Sequence, residues 1–159
     1  MDAAVKSDSK SKPAARPIPS IKQVGVIGAG QMGSGIAHVI ALGKYDVLLN
    51  DLRQEAVEAA LATIEKNLGR QVAKGLVKEA DMKEALARIK VAPSLDAFAD
   101  SDLVIEAATE DESVKRRIFQ DLCPKLKPSA LVATNTSSLS ITRIASTTDR
   151  PEHFIGMHF

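Results

Sequence analysis

The chain has no tryptophan, one tyrosine and four phenylalanines among its 159 residues, an aromatic content of 3%. That is too little to build the stacking platform on which single-stranded nucleic acids lie. Net charge is scarce as well: 21 Lys and Arg stand against 20 Asp and Glu, a formal +1. No whole-molecule field therefore gathers the chain onto nucleic acid or an anionic membrane. No apolar run approaches the roughly 18 residues that a membrane span needs, and no apolar segment follows the first positive charges as it does in a secretory leader. A soluble, unsecreted chain is expected. The one cysteine, Cys123, cannot make an internal disulfide. No His and Cys partners near it complete a zinc site, so a packed thiol and no metal are expected.

What is present is enough apolar material, 45% of residues, for one ordinary globular domain with a real core. Residues 1–20, MDAAVKSDSKSKPAARPIPS, lack hydrophobic periodicity and cannot bury enough surface to offset the entropy of ordering, which predicts a disordered tail. This segment carries Asp2, Asp8 and a single Arg, unlike the acid-poor, Arg-rich mitochondrial presequences, so a bacterial or otherwise cytoplasmic location is expected. From Ile21 short apolar runs alternate with helical stretches. Strands are predicted over 22–28, 45–51, 88–92, 101–108, 130–136 and 153–159, with helices over 31–42, 55–74, 78–87, 112–122 and 141–145 and a turn over 95–98. Gly43 and Gly75 sit where helix C-caps belong, and Ser140 where an N-cap belongs. Near-continuous apolar strands between helices predict parallel strands covered on both faces, an α/β fold of three layers. The expected form is a Rossmann-type doubly wound sheet of order 3-2-1-4-5-6, occupying 21–159, with its ligand crevice outside the carboxyl ends of the strands.

Gly28-Ala29-Gly30-Gln31-Met32-Gly33 follows the first strand directly and opens the first helix, and Asp51 ends the second strand. In this setting the G-x-G-x-x-G pattern predicts a dinucleotide site. Gly28 allows the tight turn, Gly30 lets a pyrophosphate approach the backbone, Gly33 lets the helix pack on the sheet, and the helix N-terminus, with Gln31 and Met32, offers N–H groups to phosphate. Asp51 points to NAD: its carboxylate can accept both ribose hydroxyls, whereas against the extra phosphate of NADP each unit-charge pair at about 4 Å repels by roughly 4 kcal/mol at an effective dielectric near 20. Arg53, two residues on, reads more simply as a solvated charge at a helix start.

Four segments carry more specific information: VGVIGAGQMGSGIA (24–37), DLVIEA (102–107), ATNTSSLSIT (133–142) and RPEHFIGMHF (150–159). In their order and spacing the chain resembles the 3-hydroxyacyl-CoA dehydrogenase family, in particular its short bacterial 3-hydroxybutyryl-CoA form, from Ile21 to its last residue. The resemblance implies oxidation of (S)-3-hydroxyacyl-CoA to 3-ketoacyl-CoA with NAD, an acyl-CoA substrate and a homodimeric enzyme. It makes His158, at the end of the sixth strand, the general base, a role that suits an imidazole titrating near neutrality. It assigns Ser137 contact with the substrate's 3-oxygen and with the cofactor; a hydroxyl can donate to a ketone and accept from an alcohol. Asn135 is similarly placed, although turn chemistry explains it nearly as well. Glu110 and Lys115 match the family's cofactor-contacting pair. Lys74, in the stripe Lys66, Arg70, Lys74 and Lys78, matches a CoA-contacting lysine, and Asn67 stands where some members carry a CoA-contacting serine. His38 and His153 have no such setting and are expected to be structural.

The family pattern continues past this point with Phe-Asn-Pro, a carboxylate that orients the histidine, and a helical domain for acyl-CoA and dimerisation. The expectation for the chain as given is thus an NAD-binding unit with slow turnover, since an imidazole lacking its orienting carboxylate loses several powers of ten in rate in the serine-protease analogy. A stand-alone NAD-binding or redox-responsive interaction module is the alternative.

Overall fold

The computed structural model describes residues 19–159. The tail expected over 1–20 lies outside the described residues up to position 18. Six parallel strands, β1 (Gln23–Ile27), β2 (Asp46–Asn50), β3 (Ile89–Val91), β4 (Leu103–Glu106), β5 (Leu131–Thr134) and β6 (Phe154–Gly156), form one sheet in the order β3-β2-β1-β4-β5-β6. The connections carry α1 (Gln31–Leu42), α2 (Gln54–Ala73), α3 (Glu79–Arg88), a 3-10 turn over Leu95–Phe98, α4 (Glu112–Leu122) and α5 (Ile141–Ala145).

Side chains alternate across each strand, and this alternation makes two cores. Val24, Val26, Val47, Leu49, Leu103, Ile105 and Ala133 face α1, α2 and α3; α2 contributes Val57, Ala60, Ile64 and Leu68, one stripe at helical spacing. On the opposite face Ile27, Val104 and Val132 meet Phe98, Phe119, Leu122 and Ile144 from the 3-10 turn, α4 and α5. Phe119 and Phe154 pack edge to face with ring centres 4.7 Å apart. The three-layer αβα arrangement and strand order agree with expectation.

Each strand is shorter than its apolar run, because the run continues one or more residues past the ladder into the crevice loops. β6 stops at Gly156, so Met157 and His158 belong to the segment beyond it. Ser140 caps α5 through a hydrogen bond from the Arg143 N–H, and Gly75 holds the left-handed conformation (φ 69°) two residues past the end of α2, just after the Lys74 C-cap. Gly43 caps α1 with an ordinary φ of −70°; the left-handed residue is Lys44 at φ 69°. Gly43 is small for another reason: a Cβ there would lie 3.2 Å from the Ile40 carbonyl and 3.4 Å from the Tyr45 ring.

Strand order reverses between β1 and its two neighbours, β2 and β4. Five loops gather at the carboxyl edge around this switch point: 28–30 after β1, 51–53 after β2, 107–111 after β4, 135–140 after β5 and 157–159 after β6.

Candidate functional site

The turn after β1 divides its three glycines by what each one does. Gly28 has φ 101°, and a Cβ there would lie 2.7 Å from the Ala107 and Ala108 backbone; a Cβ on Gly33 would lie 1.7 Å from the Gly28 carbonyl oxygen. The fold itself requires both. Gly30, the N-cap of α1, is extended, and a Cβ on it would meet nothing among the described residues within 4 Å. Its missing side chain therefore serves no internal packing and leaves open room over the N–H groups of Gln31 and Met32, both exposed at the helix start. Helix N-termini of this kind attract anions through unpaired N–H groups and the helix dipole.

Asp51 stands beside this opening. Its Oδ2 accepts the Ala29 N–H at 2.9 Å, its Oδ1 accepts the Arg53 N–H at 2.9 Å, and its side chain is 16% exposed. Two of about four acceptor positions on the carboxylate remain for hydroxyl donors. The Arg53 side chain is 76% exposed and approaches Asp51 only to 3.8 Å, in keeping with a solvated charge. Room above the helix start and a clamped acceptor next to it fit the diphosphate and adenosine ribose of a dinucleotide.

The glycine turn also borders a cleft of about 460 Å³ between α1 and α2, whose lining includes Gly30, Gln31, Ser34, His38, Thr63 and Asn67. Of the two substrate-site expectations on α2, Asn67 thus borders the opening, while Lys74 is the exposed residue at the helix end, outside the cleft lining. His38 is a wall of this cleft, 8% exposed, with Nε2 3.2 Å from Gln71 Oε1.

The other half of the crevice comes from the ends of β4, β5 and β6. Glu110 reaches across: its Oε2 accepts the Thr136 hydroxyl at 2.7 Å and the Ser138 hydroxyl at 3.1 Å, which clamps the loop after β4 to the loop after β5. Between these two clamped residues Ser137 is exposed, and its hydroxyl has no protein partner among the described residues. Asn135 is nearly buried, and its Oδ1 accepts the Phe159 N–H at 3.3 Å, while the Met157 N–H is bonded to the Thr134 carbonyl at 3.1 Å. These two bonds flank His158, which is exposed. Ser137 and His158 therefore leave adjacent paired strands at the same edge of the sheet.

Lys115 differs from expectation. It is 0% exposed, and its ammonium donates to Glu106 Oε2 at 2.6 Å and to Thr134 Oγ1 at 3.2 Å. A cation shut between β4, β5 and α4 needs a carboxylate, and Glu106 supplies it, so the ammonium is not at the surface for direct cofactor contact. Sequence reasoning missed Glu106, Thr134, Thr136 and Ser138. The signal for Glu106 is a carboxylate closing the apolar run LVIE, a position where a charge is buried only if it is paired.

Cys123 is buried, and its thiol is pushed up to about 11 by that burial, against a smaller opposing pull from Arg150. His153 is half-buried, with no partner for Nδ1 among the described residues. Among the described residues no cluster of three or more His, Cys, Asp and Glu could hold a metal, and no helix is long and apolar enough to cross a membrane.

Comparison with known proteins bears on this geometry. The family model for the NAD binding domain of 3-hydroxyacyl-CoA dehydrogenase matches residues 23–159. A 3-hydroxybutyryl-CoA dehydrogenase of Bradyrhizobium diazoefficiens is 60% identical over 139 residues, 87% of this chain and 47% of that protein. The fatty acid oxidation complex subunit alpha of Pseudomonas putida is 41% identical over 139 residues, 87% of this chain and 19% of that protein. Among solved structures, the (S)-3-hydroxybutyryl-CoA dehydrogenase of Ralstonia eutropha superposes with a TM-score of 0.85 at 43% identity, covering 88% of this chain and 50% of that one. The chain spans about half or less of the length of these relatives.

Proposed function

Because the chain belongs to the family of 3-hydroxyacyl-CoA dehydrogenase NAD-binding domains, we propose that it is the cofactor-holding part of an enzyme that oxidises (S)-3-hydroxyacyl-CoA, with 3-hydroxybutyryl-CoA the expected substrate, to the 3-ketoacyl-CoA. The observation that carries the reading is the open room at Gly30 over the start of α1 with the Asp51 carboxylate fixed beside it. The N–H groups of Gln31 and Met32 hold the diphosphate, and Asp51 accepts from the adenosine ribose. Glu110, anchored by Thr136 and Ser138, stands where the second ribose is expected. NAD, when bound, supplies a nicotinamide that takes up the hydrogen and electron pair from the alcohol carbon.

Loss of that hydrogen requires that the alcohol's O–H proton leave at nearly the same time. His158 is the acceptor: it is exposed, and the bonds at Met157 and Phe159 fix the backbone on either side of it. Ser137, whose hydroxyl has no protein partner among the described residues, donates to the 3-oxygen in both directions, because the proton on that oxygen passes to and from His158. Asn67 and Lys74 make up the expected contact with the CoA part, and the cleft between α1 and α2 that Asn67 lines supports that assignment. A homodimeric enzyme and a cytoplasmic setting belong to the same reading.

Calorimetric titration tests the cofactor assignment. Wild type is expected to bind NAD more tightly than NADP, and Asp51→Ala to narrow the gap by about tenfold or more, since the repulsion against a 2′-phosphate disappears with the carboxylate. An unchanged preference would remove Asp51 from its assigned role.

A further inference from the structure

Glu106, Lys115 and Thr134 each have 0% exposure and lie together beneath the ends of β4 and β5. Stability alone gives a poor reason for this cluster. A buried ion pair is often no better than a well-packed apolar group of the same volume, because both charges lose their hydration. Lys115 is also the fourth residue of α4, close to the positive end of that helix's dipole, where a cation is disfavoured.

The cluster's connections give a better reason. Oε1 of Glu106 accepts the Ala108 N–H at 2.8 Å, and its Oε2 accepts from both Lys115 at 2.6 Å and the Thr134 hydroxyl at 2.7 Å. One carboxylate thus ties the loop after β4, the first turn of α4 and the last residue of β5. The residues immediately above it are those of the crevice: Glu110 on one loop, and Asn135 to Ser138 on the other. A hydrophobic trio could fill the same volume, but it would leave the two strand ends free to slide by fractions of an ångström. The charge-assisted bonds set their spacing.

We propose that Glu106, Lys115 and Thr134 are positioning residues that set the distance between the β4 and β5 loops, so that the crevice grips the nicotinamide half of the dinucleotide, without themselves touching it. This rests on the NAD reading above. The glycine turn and Asp51 hold the other half and lie across the switch point, so the two halves can be probed apart: ADP carries the diphosphate and the adenosine ribose but neither the second ribose nor nicotinamide.

The test is titration of the chain with NAD and with ADP, for wild type, for Glu106→Gln combined with Lys115→Met, and for Thr134→Val, with thermal melting to verify folding. In the double variant NAD is expected to weaken by about tenfold, while ADP stays within about twofold, since only the increment from the second ribose and nicotinamide is lost. Thr134→Val should show the same selective loss at smaller size, and Thr134→Ser should restore it; these single changes keep the test intact should the double variant not fold. Equal weakening of both ligands, or of neither, overturns the proposal. Wild type binding NAD no more tightly than ADP overturns it too, but leaves the cofactor site standing. If wild type binds neither ligand, the NAD reading itself fails.

Discussion

Substituting alanine at Gly30 and at Gly33 separates the two reasons a glycine can occur in this turn. A methyl on Gly33 would sit 1.7 Å from the Gly28 carbonyl oxygen, about half a normal contact distance, and both partners are backbone. Relief requires α1 to move off β1, where it packs Ile36, Ala37 and Ala41 into the larger core, so a loss of about 3 kcal/mol or more is expected, as for other severe overpacking. A methyl on Gly30 meets nothing among the described residues, and the backbone there, φ −74° and ψ −163°, suits any residue. Its stability should change by no more than about 1 kcal/mol, the loss of a favoured N-cap residue being set against the reduced freedom of the unfolded chain. Binding should behave in the opposite way. The new methyl stands where a diphosphate must approach the N–H groups of Gln31 and Met32, and hydrogen bonds to a charged group contribute about 1.5–3 kcal/mol each. Loss of one of them raises the NAD Kd by about tenfold to a hundredfold. The assays are thermal melting and calorimetric titration on the same samples. A Gly30→Ala chain that melts like wild type and binds NAD equally well would refute the claim that this space is kept for phosphate.

Other outcomes follow from side chains away from the crevice. Burial tends to raise the Asp102 carboxyl, but the Lys127 ammonium and the N–H groups of Gln23 and Lys22 outweigh it and hold it at about 2 against an ordinary 3.8. Its folded value is the depressed one, so its stabilisation is complete above about pH 4 and is lost as pH falls toward 2; denaturant melts of Asp102→Asn should lack up to about 2 kcal/mol of that acid-side slope, and identical pH profiles would contradict the assignment. Arg150, 7% exposed, donates to the carbonyls of Cys123 at 2.7 Å and Lys127 at 2.9 Å, with longer bonds to Leu126 and Ala130. Arg150→Ala strands those carbonyls and should cost about 3 kcal/mol or more in chemical denaturation, with lysine recovering little because a point donor cannot span them; a cost under about 1 kcal/mol would rule out the staple. The Cys123 thiol, pushed up to about 11 by burial, should react with a maleimide only as fast as the domain opens, so labelling that outpaces unfolding would show the thiol to be accessible.

The layout of the sheet was readable because each strand is a run of Val, Ile, Leu and Ala bounded by polar or glycine residues, and because α1, α4 and α5 each present an apolar face between recognisable caps. α1, α4 and α5 begin and end where the pattern places them, and α2 and α3 shift by one residue. Errors collect at strand ends. Apolarity marks burial rather than ladder bonding, so HFIGMHF reads as seven residues of strand, whereas only Phe154–Gly156 pair with β5. Gly43 takes the C-cap position that the pattern gives it, but with an ordinary φ of −70°; the left-handed residue is its neighbour Lys44, and the Ile40 carbonyl, 3.2 Å from where a Cβ would stand, is the tighter contact favouring glycine there.

The crevice divides along the same line. What the backbone does there is written locally: Gly28, Gly30 and Gly33 lie within six residues, and Asp51 closes the next strand, so one pattern contains the whole half-site. What side chains do across strands is written at no fixed spacing. Glu106 finds Lys115 nine positions on and Thr134 twenty-eight positions on, and Glu110 finds Thr136 and Ser138 only because β4 and β5 are neighbours in the sheet. A five-residue separation of Glu110 from Lys115 reads as a pair acting on one ligand, yet the strand end and the first turn of α4 send them opposite ways: Glu110 stays exposed above the β5 loop while Lys115 is sealed below it. The lysine therefore bears on the crevice through Glu106 and the strand ends, and a substitution there should be judged by how far the β4 and β5 loops part rather than by a lost contact.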